Sequence, residues 1–277
     1  MILRERIEQV VYPVLVAACT LFILFPVMFM VLTALKPSEE VISIPPRLFP
    51  SRLTLDNFAS FFRGGNYGIY VWNSFYIAAW TAVLSAAIAS MAAYSLSRID
   101  YSGKTLVGYL ILLTYMFPPV LLAIPLFLVF AKLRLANTYT GLILAHTAFA
   151  LPFCLWLLRD FFATIPRQLE HAARIDGASA LRAVWSVTLP LSLPGVGAAM
   201  MFAFVLSWSD FLFALVFISR DELRTLPLLI SKLVGTYTTD WGMVMAAATF
   251  TAIPPLIAVL CLQRYLLRGF GVAGERV

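Results

Sequence analysis

The stretch Glu170–Pro194 reads EHAARIDGASALRAVWSVTLPLSLP. It is a polar, charged island between two long apolar runs, and no other segment between such runs reads so clearly as helix. In a chain this apolar, the island is either a plain connecting loop or a surface on which a soluble partner acts. The local chemistry predicts two short helices. Pro166 suits a helix's first turn, where its missing amide costs nothing. Glu170 and Arg174 stand four apart with the acid first, the favourable order for a helical pair, and Ala172 and Ala173 leave a flat surface beside them. At Asp176-Gly177 the helix should break, since Gly accepts a left-handed backbone and Asp176 is placed to cap the amides of Ala178 and Ser179. A second helix is predicted with Leu181, Val184, Trp185 and Thr188 on one face, ended by Pro190 and Pro194. Arg167, Arg174 and Arg182 mark the outer face. On the residues alone a docking hairpin is favoured, and an ordinary loop stays open.

Composition sets what surrounds the island. The chain has 277 residues, 61% of them hydrophobic and 12% charged, with a mean hydropathy of +0.89. A soluble domain carries about 25% charged residues. The missing charge identifies an integral membrane protein whose surface is largely covered by lipid. The net charge of +6 fits Lys and Arg at span ends next to anionic lipid. No basic patch interleaved with aromatics accompanies it, so no nucleic-acid partner is expected. Cys19, Cys154 and Cys261 lie inside apolar runs without CxxC spacing and read as small core-facing residues, with no metal site.

Six apolar runs are long enough to span a bilayer: about Val10–Leu35, Val71–Leu96, Thr105–Phe130, Thr140–Phe162, Gly195–Ile218 and Trp241–Tyr265. The first is too long for a secretory signal peptide. Val16-Ala17-Ala18-Cys19 resembles a lipoprotein box, but the chain stays apolar beyond it, so a retained span is expected. Lys36–Gly68, rich in Pro and Gly, reads as an irregular segment outside the membrane, and Ser219–Asp240 as a second outer segment. Small residues crowd the second run and predict close packing among helices. Arg98, Asp100 and Lys104 read as a polar turn at a span boundary. Gly103-Lys104-Thr105 lacks the earlier Gly of a phosphate-binding loop. Pro118, Pro119 and Pro125 should kink or break the outer half of the third run, which is tolerable only where protein covers it. Arg268–Val277 reads as a short basic tail. Six spans put both termini on one side, and a thin excess of Lys and Arg favours the cytoplasm for the termini and the island.

Candidate pathway residues are few. Asp210 is the one acidic side chain within the fifth run and should face the bundle interior or water, beside Ser207 and Trp208. It either lines a passage or locks helices together. Asn73 and Ser74 are weaker candidates, and His146 reads best as a histidine hydrogen-bonded within the bundle. An ion- or proton-coupled secondary transporter would carry several such charges and repeated broken helices, and it remains the alternative. No HExxH, GxSxG or paired-cysteine arrangement points to an enzyme.

EHAARIDGAS followed by Leu189-Pro190-Leu191 resembles the coupling motif of the inner-membrane permease subunits of ABC importers, which reads EAA, three residues, G, then L-P about a dozen further on. Trp208-Ser209-Asp210-Phe211 is similar to the W-N-D/E-F signature of the carbohydrate, maltose-permease-like branch. Thr239-Asp240-Trp241-Gly242 with Met245-Ala246-Ala247 resembles that branch's entry to span six, and Gln263-Arg264-Tyr265 through Arg268-Gly269 its C-terminal end.

The resemblance covers essentially the whole chain. It implies an all-α membrane protein of the type I ABC importer fold, six transmembrane helices with a cytoplasmic coupling hairpin at 165–194 between spans four and five. Residues 1–68 would form an N-terminal span with an extracytoplasmic segment, and 69–277 the permease core. The implied setting is a bacterial or archaeal cytoplasmic membrane with both termini cytoplasmic. The implied partners are a cytoplasmic ABC ATPase dimer that uses ATP and magnesium, a second homologous permease subunit and an extracytoplasmic solute-binding protein. No cofactor is bound directly and the subunit is no enzyme itself. The implied cargo is a sugar, an oligosaccharide, a polyol or a glycerol phosphate. By match, Ala172, Ala173 and Gly177 shape the ATPase contact and Asp176 braces the corner, with Glu170, Leu189 and Pro190 in the same motif. The chain departs from the family at one place: the motif's leading Glu falls at position 171, which is His171. Glu170 lies about 100° away round a helix and is no geometric substitute.

Overall fold

Backbone polar groups inside a bilayer must be satisfied by the protein itself, which favours helices. Among the described residues of the computed structural model every regular element is helical. Those residues are 2–45, 47–63, 65, 67–234 and 239–271, with side chains described between 11 and 261. The chain folds as two compact units, Met1–Gly68 with Ile230–Ile253, and Ile69–Leu229 with Pro254–Val277.

In the first unit, α1 (Ile2–Ala34) presents apolar side chains outward, Phe22 and Ile23 among them. Cys19 is exposed on it, so it faces away from any core and differs from the expected inward placement. The segment after α1 is more regular than its Pro and Gly content suggests: α2 (Ser38–Val41) and α3 (Asp56–Arg63) lie within it. Two inward residues of α3 one turn apart explain this. Asn57 donates to the carbonyls of Ala34 (2.9 Å) and Lys36 (2.7 Å), satisfying the end of α1, while Phe61 is fully buried and stacks on Tyr67.

The second unit holds the bundle. Helix α4 (Tyr67–Arg98) buries Ser74, Ala78, Ala82, Ser85, Ala89 and Ala93 at helical spacing, the small-residue face predicted for close packing. The proline-rich third run is two helices, α5 (Lys104–Met116) and α6 (Pro119–Lys132), bent by 102° at Phe117-Pro118. The chain itself leaves that break open, with Met116, Val120 and Leu121 exposed. Helix α7 (Tyr139–Thr164) packs on α11 (Leu193–Trp208) through Gly195, Ala199 and Ala203. A Cβ at Gly195 would lie 2.6 Å from the Phe161 ring, so only glycine permits this approach. Cys154 is buried there and its thiol donates to Ala199 O, the core placement expected of it.

The fifth run is broken as well. Helix α11 ends at Trp208, and the short α12 (Leu212–Phe217) begins after Asp210 and Phe211. Beyond it α13 (Leu226–Leu233) and α14 (Trp241–Gly271) complete the order. Among the described residues four helices are individually long and apolar enough to cross a membrane, or up to six if each bent pair, α5 with α6 and Ala180–Leu191 with α11, is one span. Residues 235–238 of the second outer segment and 272–277 of the basic tail lie outside the described residues.

Candidate functional site

The island between α7 and α11 folds as a helical hairpin. Helix α8 (Arg167–Ile175) starts after Pro166, which sits at the cap rather than inside the first turn. Its C-terminus closes in a Schellman arrangement: Ala178 N–H donates to Ala173 O (3.0 Å) and Gly177 N–H to Arg174 O (3.1 Å). Gly177 has φ of +91°, the left-handed conformation that favours glycine. Asp176 is therefore not the cap of the second helix. Ala178's amide is already engaged, and the Ser179 hydroxyl caps α9 (Ala180–Ala183), accepting from Arg182 N–H (3.3 Å).

Pro190 does not end the second helix. Val184–Thr188 forms a π-turn in which Leu189 N–H donates to Val184 O, and α10 (Leu189–Leu191) continues from it. A wide turn ahead of proline relieves the ring's clash with the preceding turn, so the helix persists to Ser192 and then bends by 74° into α11. The π-turn also re-aims the face predicted from regular spacing. Thr188 points inward and is fully buried, whereas Leu181 and Trp185 are exposed.

Glu170 holds this hairpin to the bundle. Expected to pair with Arg174 along its own helix, it turns inward instead. Its Oε1 lies 3.2 Å from Arg98 Nε and accepts from Thr188 Oγ1 (2.8 Å), and its Oε2 accepts from Tyr94 O–H (3.2 Å). Arg98 in turn donates to the carbonyls of Phe162 (2.7 Å) and Ile165 (2.6 Å), which close the end of α7. One carboxylate thus joins α8, the π-turn, α4 and, through Arg98, α7. Both side chains of the ion pair are nearly buried, 5% exposed at Arg98 and 11% at Glu170. Removing one partner of such a pair costs about 3–5 kcal/mol. The Asp100–Lys104 pair (3.2 Å) stays at the surface, so the polar turn expected as a plain span boundary divides into an inward Arg98 and an outward pair.

The remaining motif residues face the other way. His171, Ala172, Asp176, Gly177 and Pro190 are exposed, Ala173 and Leu189 half-buried. Beside them Ile175 is 85% exposed, an apolar side chain next to Arg174 and Asp176.

A second polar cluster occupies the break after α11. Asp210 caps α12, accepting from Ala214 N–H (3.0 Å) and Phe213 N–H (3.4 Å), and its Oδ2 lies 3.1 Å from His146 Nε2. His146 Nδ1 meets Ser207 Oγ at 2.7 Å, and Ser207 Oγ lies 3.4 Å from Thr81 Oγ1. His146 is fully buried, engaged within the bundle as its sequence context suggests. Asp210 is not a mid-helix charge. The break gives it backbone amides to hold.

Ser207 and Asp210 therefore converge on His146, while the other two pathway candidates sit apart. Trp208 stacks on Phe204 with ring centroids 5.9 Å apart. Asn73 is fully buried, donates to the carbonyls of Glu222 (2.8 Å) and Arg224 (2.9 Å), and accepts from Tyr139 O–H (2.7 Å). It anchors the segment after α12 to α4. Ser74 does likewise through Leu226 N–H. Sequence reasoning missed Tyr94, and it missed the convergence on Glu170 of Arg98 and Thr188, which it read only as a span boundary and a helix-face residue. Their only linear signal is an arginine at a span end, which names no partner.

Helices of this length and polarity place the chain among multi-pass membrane proteins. Residues 86–272 match the family of binding-protein-dependent transport system inner membrane components, and the chain belongs to that family. It is 37% identical over 251 residues to the sulfoquinovosyl glycerol transport system permease protein SmoH of Agrobacterium fabrum, covering 91% of this chain and 88% of that protein. It is 32% identical over 268 residues to the trehalose/maltose transport system permease protein MalG of Thermococcus litoralis, covering 96% and 95%. Its fold is that of a chain in a bacterial ABC transporter involved in the import of the acidic polysaccharide alginate, with a TM-score of 0.83 at 22% identity over 95% of this chain and 97% of that one. The chain is an all-α inner-membrane permease component of the sugar ABC importer family.

Proposed function

We propose that this subunit carries a sugar, an oligosaccharide or a related polyol or glycerol phosphate inward, and that the 165–194 hairpin converts closure of a separate ATPase dimer into movement of the bundle. The observation that carries this reading is the two-sided construction of the hairpin. Its inner face is fixed to α4 and α7 through Glu170 and Arg98, while its outer face exposes Ile175 beside His171 and Asp176. A plain connecting loop needs neither feature. Among the motif residues, Ala172, Ala173 and Gly177 shape the contact beside His171, Asp176 lies at its corner, and Leu189 and Pro190 lead the force into α11. Glu170 acts from the inner side as the joint.

The hairpin and both termini are cytoplasmic in this reading. Residues 69–277 form the permease core and 1–68 its N-terminal span with an extracytoplasmic segment. A second, homologous permease subunit covers the break at Phe117-Pro118, whose exposure in a single chain would leave irregular backbone facing lipid. The family's dependence on a binding protein supports an extracytoplasmic solute-binding partner. Ser207 and Asp210 with His146 form the polar lining of the pathway, and Trp208 and Asn73 brace it. The subunit binds no cofactor, since ATP and magnesium are consumed by the ATPase.

Purification from the native host, followed by reconstitution in liposomes, tests this. An ATPase, a second permease and a binding protein should co-purify, and one sugar-class solute should stimulate ATP hydrolysis. Recovery of a lone transporter driven by an ion gradient would overturn the reading in favour of a secondary transporter.

A further inference from the structure

A cavity of about 340 Å³ lies between the end of α4, the start of α5 and the last third of α7. Its polar wall consists of Lys104, Thr105, Tyr109, Trp156 and Arg159. Each of these side chains can donate a hydrogen bond, and no carboxylate lines the cavity. Two of the donors lack what they need. The Arg159 guanidinium lies 4.3 Å over the Trp156 ring and has no carboxylate within 4.0 Å among the described residues. The Trp156 Nε1–H is buried with no acceptor among the described residues. Lys104 is held by Asp100 at 3.2 Å, but that carboxylate points outward and is 82% exposed.

The position is as informative as the charge. Arg159 stands about 7 Å inside the end of α7, at the depth where Trp and Tyr line a membrane interface. A guanidinium there needs water or an anion beside it. The outer face of α5 continues from the cavity as an exposed apolar ridge, Leu106, Leu110 and Leu113, at helical spacing. Donors gathered at interfacial depth, with an apolar ridge running from them toward the bilayer centre, match a headgroup with its acyl chains.

We propose that this cavity binds a phosphate oxyanion, supplied by the headgroup of an anionic phospholipid. The non-bridging phosphate oxygens accept from Arg159, Lys104 and the Trp156 indole, and an acyl chain lies along the α5 ridge. The site is separate from the hairpin's outer face and rests only on the chain's membrane placement. It explains an unpaired arginine and an unpaired indole with one ligand.

The test uses the assembled transporter in nanodiscs of phosphatidylcholine with or without phosphatidylglycerol, with retained lipid counted by native mass spectrometry. The wild type should retain phosphatidylglycerol over phosphatidylcholine. Arg159→Gln should weaken that retention about tenfold, the worth of one charge-assisted hydrogen bond. Trp156→Phe, which keeps the ring beneath Arg159 and removes the donor, should weaken it less, and Arg159→Lys least. Equal retention by wild type and Arg159→Gln, or no preference for the anionic lipid, overturns the proposal. If Arg159→Gln does not assemble, unchanged retention by Trp156→Phe overturns it instead. A parallel arm follows inorganic phosphate by 31P NMR line broadening in phosphatidylcholine discs. Broadening that depends on Arg159 there would keep the oxyanion and overturn the lipid as its source.

Discussion

The two largely buried carboxylates of the bundle, Glu170 and Asp210, differ in what they hold. Their contacts on α7, through Arg98 to Phe162 and directly to His146, are about 24 Å apart along the helix. Asp210 does local work: it caps the short helix after it and borrows one tertiary partner, His146. Glu170 sits inside a regular helix that needs nothing from it. All of its partners, Tyr94, Arg98 and Thr188, come from other elements. A carboxylate that satisfies its own backbone stabilises a turn. One that joins separate helices fixes them to one another, which makes Glu170 the joint of the proposed coupling path.

Substitutions can break or sharpen that contrast. The largest effect is expected at Arg98→Met, which strands Glu170 and releases the carbonyls ending α7. It should cost about 3–5 kcal/mol in a thermal or denaturant melt of the purified complex. The double variant Arg98→Met with Glu170→Leu should recover part of this, because no charge is then left buried alone. A fully additive loss would show that the two residues do not form a joint.

Gly177→Leu should stop transport at a smaller stability cost of about 1–2 kcal/mol. A Cβ there meets nothing within 4 Å, so the penalty is backbone strain together with blockage of an exposed surface. Gly177→Asn, which tolerates the left-handed region, should retain most uptake, and unimpaired uptake by Gly177→Leu would remove the hairpin from the coupling path. On the Asp210 side, Asp210→Ala should cost about 1 kcal/mol, the worth of a lost cap, while Asp210→Asn keeps an acceptor and stays close to the wild type in the same melt. A loss at Asp210→Ala as large as that at Arg98→Met would erase the distinction. The smallest effect is expected at His171→Glu, an exposed position: stability should stay within about 0.5 kcal/mol and uptake should be largely kept.

Much of this arrangement was legible in the sequence because lipid imposes it. Apolar runs of sufficient length marked the long helices, Pro118 and Pro119 marked the bend, and Gly177 marked the hairpin corner. The alternatives left open at Asp210 needed coordinates, since only they show a helix ending at Trp208. What stayed hidden was tertiary. Nothing near Glu170 indicates that it ignores Arg174, one turn away, for an arginine at the end of another span. The π-turn was equally unreadable. Pro190 predicts an end, but the widened turn carries the helix past it and brings Thr188 within hydrogen-bond reach of Glu170. At position 171 the sequence records a departure from the family motif, and the fold turns His171 outward and its neighbour Glu170 inward.

The claim that Glu170 transmits force from hairpin to bundle is tested most directly by the ratio of solute imported to ATP hydrolysed in the reconstituted transporter. Glu170→Gln keeps the size and one acceptor but loses the charge that holds Arg98. The predicted result is continued ATP hydrolysis with import per ATP sharply reduced, while Ala substituted at the outward His171 leaves the ratio unchanged. An unchanged ratio in Glu170→Gln would contradict the account.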